Sequence, residues 1–286
     1  MPAPFTPSPS IGASDPPLLD GPASNAATAR ELLNNRRHLR GATWGALTWS
    51  GRLVVGGSAT APSITVGAIE AVTLRDSTGV WRPYFTDDET PLGIGDVEGA
   101  PASLTADTWH YVYAHDSAGS GSPHFQVSTT APGTSLAWKN AGGTALYRYL
   151  GCFPTDGSGN PLALRAVRGR YLYNEPDDIV PGGATANIST YSTANLASRV
   201  PPHSRHALVR ARVTRTASGA NILMAYGLRT PGATNPSFAP VLVKVPSLSD
   251  FDVRQAEVLL SSSRTLEYAT TAADCALDLA VAGFQE

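Results

Sequence analysis

From residue 43 onward, apolar and polar residues alternate in short runs broken by glycine, proline, serine and aspartate. A period of two marks strands with one buried face. WHYVYAH sets Trp109, Tyr111 and Tyr113 on one side and His110, Val112 and Ala114 on the other. ALVRARVTR sets Val209, Ala211 and Val213 against Arg210, Arg212 and Thr214. Ser50-Gly51, between TWGALTW and RLVVGG, and Ser77-Thr78-Gly79, between IEAVTLRD and VWRPYF, read as hairpin turns. HFQVST, ALYRYLGCF, PLALRAVRGRYLY, NILMAYGL, PVLVKV, QAEVLL, RTLEYATT and ALDLAVAGF supply further strands.

One segment carries helical signals instead. In SNAATARELLNNRRHLRG, Ser24 or Asn25 can cap, Thr28 and Glu31 have capping-box spacing, and Arg36, Arg37 and His38 precede Gly41. Its apolar side (Ala26, Ala29, Leu33) is thin, so such a helix needs another surface to lean on. Residues 1–22, rich in proline and serine, have little to bury. The expectation is a mostly β protein in three parts: an extended arm and short helix over 1–42, a β-rich shaft or connector over 43–180, and a jelly-roll-like sandwich over 190–286. EPDDIVPGGATAN, acidic and rich in proline and glycine, is the expected linker between the two antiparallel β domains.

Net charge is −2 and only 15% of residues are charged. This gives no basic footprint for nucleic acid, and no apolar run is long enough for membrane insertion. The first residues lack the basic and apolar regions of a signal peptide, so synthesis in the cytoplasm is expected. Cys152 and Cys275 lie outside any C-x-x-C spacing and read as buried free thiols.

Candidate chemistry reduces to a few clusters. Asp156, Ser158 and Asn160 occupy the first three ligand positions of a calcium loop. Pro161 and Val167 stand where its glycine and closing carboxylate belong, so the stretch reads as a turn. GIGDVEG has its third glycine one residue late for a dinucleotide loop and lacks the surrounding βαβ unit. His203 and His206 lie beside Pro201-Pro202 without a third ligand placed by the sequence, and read as loop residues. His115-Asp116 and His124 are expected to approach across a hairpin. Asp87, Asp88, Asp177 and Asp178 offer the carboxylates a glycan-degrading enzyme would need, although no particular pair is brought together by the sequence. No catalytic residue, metal or cofactor is therefore expected. The tyrosine-rich strands, with Trp109, Tyr111, Tyr113, Tyr147, Tyr149, Tyr171 and Tyr173, read as core, subunit contacts or a binding surface.

WHYVYAHDSAG…FQVSTTAP followed by ALYRYLGCFPTDGSGNPLAL, and the closing VLLSSSRTLEY…LDLAVAGFQE, resemble segments of tail fibre and other virion proteins of tailed bacteriophages. The resemblance covers about residues 108–175 and 205–286. It implies a non-enzymatic virion protein, a homotrimeric tail fibre or tail-tip adhesin contacting a host surface glycan or protein. Thr28, Glu31, Leu32, Leu33, Arg36 and Arg37 would then anchor the arm on other virion proteins. The alternatives are a capsid decoration or head-fibre protein, and a secreted glycan-degrading or glycan-binding protein.

Overall fold

The computed structural model describes residues 47–49, 52–75, 79, 81–116, 123–133, 138–140, 146–184, 191–204, 206–215, 222–231, 241–245, 251–270 and 275–286. The expected arm and helix, with the anchor residues Thr28, Glu31, Leu32, Leu33, Arg36 and Arg37, lie outside the described residues. So does the side chain of Cys275.

The described strands are β1 (Leu47–Trp49), β2 (Leu53–Gly57), β3 (Pro62–Val66), β4 (Ile69–Arg75), β5 (Trp81–Tyr84), β6 (Thr90–Leu92), β7 (Trp109–His115), β8 (His124–Ser128), β9 (Trp138–Asn140) and β10 (Leu146–Pro154). They continue with β11 (Leu164–Val167), β12 (Arg170–Ala184), β13 (Ser192–Asn195), β14 (His206–Arg215), β15 (Ile222–Arg229), β16 (Val241–Val245), β17 (Phe251–Leu259), β18 (Thr265–Thr270) and β19 (Cys275–Gln285). All named strand pairs are antiparallel, and the fold is mostly β with sandwich-like packing, as the alternation predicts.

Three sheets result. The first runs β1-β4-β10-β7-β8, with β5 on β4 and β9 on β10. The second, with eight strands, runs β17-β14-β19-β12-β11-β2-β3-β6. The third runs β13-β18-β15-β16. Residues from all three contribute to one continuous core, including Val112, Tyr149 and Phe153 from the first, Leu53, Tyr171 and Phe284 from the second, and Leu228 and Leu266 from the third.

Several local expectations change in this frame. The β4–β5 hairpin forms as read, with Val72 opposite Tyr84 and Arg75 opposite Trp81. β1 and β2 do not pair across Ser50-Gly51: β1 joins β4, while β2 joins β3 and β11. β2 turns back one element later, where Gly57 takes φ +89 and the Ser58 amide donates to Ala61 O at 3.1 Å. The segment expected as a linker is strand as far as Ala184, paired with β19. The eight-stranded sheet therefore crosses the division expected at 180–190: β2, β3 and β6 share it with β14, β17 and β19.

Two bulges decide which residues face the core. Along β10, Tyr149 lies opposite Tyr113 and Cys152 opposite Tyr111, with the register shift at Leu150-Gly151. Residues three apart normally point to opposite faces, but the extra residue puts Tyr149 and Cys152 on the same one. Along β19, Val281 lies opposite Val209 and Phe284 opposite Ala207, with the shift at Ala282-Gly283. The same device turns Phe284, and Glu286 beyond it, toward the interior.

Each bulge needs its glycine for space. A Cβ at Gly283 would lie 2.0 Å from Tyr171 O, and one at Gly151 would lie 2.7 Å from Tyr171 Oη. Gly283→Ala is expected to lower the unfolding free energy by about 1–3 kcal/mol or more through overpacking against backbone. Urea denaturation measures this; an unchanged midpoint would show that β12 and β19 do not approach so closely.

Candidate functional site

The tyrosine rows serve the interior of the single chain. Tyr111, Tyr113, Tyr147, Tyr149, Tyr171 and Tyr173 are buried and Trp109 is partly buried against the core. β7 is buried on both sides, because His110, Val112 and Ala114 are covered as well as the tyrosines. His110 stacks on Phe153 with ring centroids 5.3 Å apart. Burial pushes its pKa down, so the neutral ring is favoured.

The stretch Asp156–Asn160 is a turn, as its composition predicts. The Ser158 and Asn160 amides both donate to Asp156 Oδ1 at 2.8 Å, and Asn160 Nδ2 donates to Oδ2 at 3.1 Å. These bonds, those from Asn160 foremost, hold the Asp156 carboxyl below its ordinary range. Gly159 takes φ +82, and Thr155 and Pro161 close the base. The turn joins different sheets, since β10 belongs to the first and β11 to the second. Asn160 Oδ1 also accepts from the Ala59 amide at 3.0 Å, tying the crossover to the β2–β3 turn.

His115 and His124 do meet across the β7–β8 pair, with ring centroids 5.9 Å apart. His115 stacks more closely on Tyr147, at 4.2 Å and 8°. Asp116 is buried and accepts a hydrogen bond from the Tyr84 hydroxyl. Asp87 and Asp88 lie exposed on a bend, while Asp177 and Asp178 lie within β12, opposite Val281 and Ala280.

Among the described residues, the densest polar cluster gathers positions far apart in sequence. Glu286 extends its side chain, 15% exposed, into the space where the sheets meet. Its Oε1 accepts from Tyr149 Oη at 2.6 Å, His203 Nε2 at 2.7 Å and Cys152 Sγ at 3.2 Å. Its Oε2 accepts from Tyr171 Oη at 3.0 Å. Tyr149 and Cys152 come from β10, Tyr171 from β12, and His203 from the loop after β13.

Each contributor is positioned by other contacts. Tyr171 stacks on Phe284 at 4.3 Å and 11°. The loop over 196–204 is clamped by Arg264 Nη1, which donates to Ala197 O at 2.9 Å and Val200 O at 3.1 Å. Trp109 Nε1 donates to Ala197 O at 3.2 Å, and Tyr173 Oη to Arg199 O at 2.7 Å. His203 is thereby held with its side chain only 9% exposed, edge-on to Tyr149 at 5.6 Å.

Burial, reinforced by the Glu286 charge, pushes the Cys152 thiol well up. The Tyr149 and Tyr171 hydroxyls are likewise pushed up, chiefly by burial. All three are protonated donors at neutral pH, and the thiol is not a poised thiolate nucleophile. The cluster nonetheless offers a soft and a borderline ligand beside a carboxylate: Cys152 Sγ, His203 Nε2 and a Glu286 oxygen all lie within 4.8 Å of one another.

Sequence reasoning placed Cys152 correctly as a buried free thiol, named Tyr149 and Tyr171 for other roles, and set His203 aside for want of a third ligand. It did not single out Glu286. The available signals were the glycines at 151 and 283, which mark the bulges. No protein-family model matches the chain, and no curated protein is significantly similar to it in sequence.

The raised groups fix a pH dependence. The folded state keeps protons on Cys152, Tyr149 and Tyr171 that the unfolded chain releases above their ordinary values of 9.0 and 10.0. Their contribution to stability is fully present below pH 9.0 and falls as pH rises beyond it, by up to about 1.4 kcal/mol per pH unit for each group. Urea midpoints between pH 7 and 11 should decline on the alkaline side, less steeply in Tyr171→Phe. An identical slope in the variant would contradict the assignment.

Proposed function

We propose that the chain is a non-enzymatic structural protein of a tailed-bacteriophage particle, a homotrimeric tail fibre or tail-tip component that contacts the host surface. The observation that carries this reading is the outer face of the eight-stranded sheet. Val167, Leu172, Val253 and Leu259 are 41–55% exposed and belong to β11, β12 and β17 of that sheet.

Register places all four on one face. Leu259 lies opposite His206, His206 opposite Gln285, Gln285 opposite Arg170, and Arg170 opposite Val167. Leu172 joins the row beside Arg170, and Val253 lies farther along the same side of β17. Tyr171, Phe284, Val209 and Leu164 occupy the opposite, buried face. His206, Gln285 and Arg170 stand between Leu259 and Val167 in that row, so exposed aliphatic and polar side chains alternate across the face, which suits a partner surface of the same mixed character. Copies of the same chain, related by rotational symmetry, would supply it in a fibre.

The chemistry of the polar cluster also favours a structural role, because its thiol and phenols are held protonated and spent on one carboxylate. In this reading the β body projects from the particle, and residues 1–42 dock onto other virion proteins. The resemblance of the tyrosine-rich strands to virion segments supplies the particle type.

Light scattering of the full chain at micromolar concentration is expected to give a trimer. Leu172→Glu combined with Leu259→Glu should shift it toward monomer without changing the far-ultraviolet spectrum. A clean monomer for the unaltered chain would overturn the fibre reading. Particles labelled on the last residues would separate a tail position from a capsid one.

A further inference from the structure

We propose that Cys152, His203 and Glu286 form a binding site for a zinc-class divalent cation that ties the sheets together. The observation is convergence. Oε1 of Glu286 is approached by three donors at 2.6, 2.7 and 3.2 Å, more than its two lone pairs accept well. A cation replaces that crowding with bonds to the same atoms, once the thiol proton leaves to solvent as metal enters.

The donor set selects the metal. A thiolate, an imidazole and a carboxylate suit a tetrahedral zinc-class ion, whereas calcium and magnesium require oxygen ligands. Charge also balances. Thiolate and carboxylate carry two negative charges, and a dication cancels both in a largely buried place where an uncompensated charge is costly.

The three ligand atoms are gathered within 4.8 Å of one another, close to but not at tetrahedral spacing. Tetrahedral bonds of about 2.0–2.3 Å set ligand atoms roughly 3.3–3.6 Å apart. Sγ lies 3.2 Å from Oε1 and must withdraw by roughly 0.1–0.4 Å, while Nε2, at 2.7 Å, must withdraw by roughly 0.6–0.9 Å. His203 retains slight exposure, which provides an entry path. The fourth ligand would be a water or the Tyr149 hydroxyl, whose oxygen lies 3.3 Å from His203 Nε2.

The outer partners are already placed. Tyr171 Oη holds Oε2, the carboxylate oxygen left over when Oε1 ligates. Such partners orient a metal ligand, and losing one weakens binding by about 10–100-fold. His203 lies on the loop after β13, Cys152 within β10 and Glu286 directly after β19, so bound metal would staple that loop to β10 and β19.

The test is titration of the reduced full-length chain with cobalt(II), then competition with zinc. One equivalent per chain should bind and give a thiolate-to-cobalt charge-transfer band together with tetrahedral visible bands; zinc should remove them and raise the melting temperature. Cys152→Ala should abolish the charge-transfer band, His203→Gln should weaken uptake by more than 100-fold, and Tyr171→Phe by about 10–100-fold. Absence of a tetrahedral thiolate spectrum in the folded wild-type chain overturns the site, as does uptake unchanged in folded Cys152→Ala and His203→Gln. Cys275→Ala should leave the spectrum unchanged; a band lost in that variant would place the thiolate elsewhere and overturn the site.

Discussion

One carboxylate sets the terms for the middle of this molecule. Glu286 receives hydrogen bonds from Tyr149 and Cys152 of the first sheet, Tyr171 of the second, and His203 of the loop leading out of the third. A mostly shielded charge is tolerable only when its lone pairs are answered, and each donor here is also a group that would be costly to bury alone. The partners therefore depend on one another. Remove the acceptor and four donors lose the partner they share; remove a donor and the charge loses part of its compensation. The same groups that hold the sheets together hold a thiol and an imidazole at ligating distance from a carboxylate, so architecture and candidate chemistry share one set of atoms.

That arrangement rests on two bulges, one in β10 and one in β19. Without the extra residue at Leu150, Tyr149 and Cys152 would point to opposite faces of β10. Without the one at Ala282, Phe284 would leave the core and Glu286 would face outward. The glycines beside these positions do more than permit the bend. Gly151 leaves room for the Tyr171 hydroxyl, and Gly283 lets the backbone of Tyr171 approach. Tyr171 is thus placed from above and below by absent side chains, stacked on Phe284, and aimed at Oε2. The outer face of the same sheet has the opposite character, with exposed aliphatic residues where the inner face is sealed.

The mostly β character was legible because period-two alternation is a local signal. ALVRARVTR illustrates it: Val209, Ala211 and Val213 are buried and Arg210 and Arg212 exposed, as the pattern implies. β7 was less legible, since alternation of aromatic and smaller residues suggests one buried face where two are covered. The partners of β1 and β2 were not legible either. A turn signal at Ser50-Gly51 says that the chain bends, and nothing about which strands then compete for each edge. Asp156–Asn160 was readable as a turn because its own amides satisfy its own carboxylate, but its role as a crossover between sheets is a tertiary fact. The cluster was hidden for a related reason. Its members lie at 149, 152, 171, 203 and 286, and the bulges reverse the parity by which their facing would be inferred.

The central claim is that Tyr149 and Tyr171, on different sheets, are energetically joined through Glu286. A double-mutant cycle in the full chain measures this most directly, using Tyr149→Phe, Tyr171→Phe and their combination, each followed by urea unfolding at pH 7. A coupling of about 0.5 kcal/mol or more is expected, disappearing when the cycle is repeated in Glu286→Ala. Additivity within about 0.3 kcal/mol, or a coupling that survives the loss of Glu286, would contradict it.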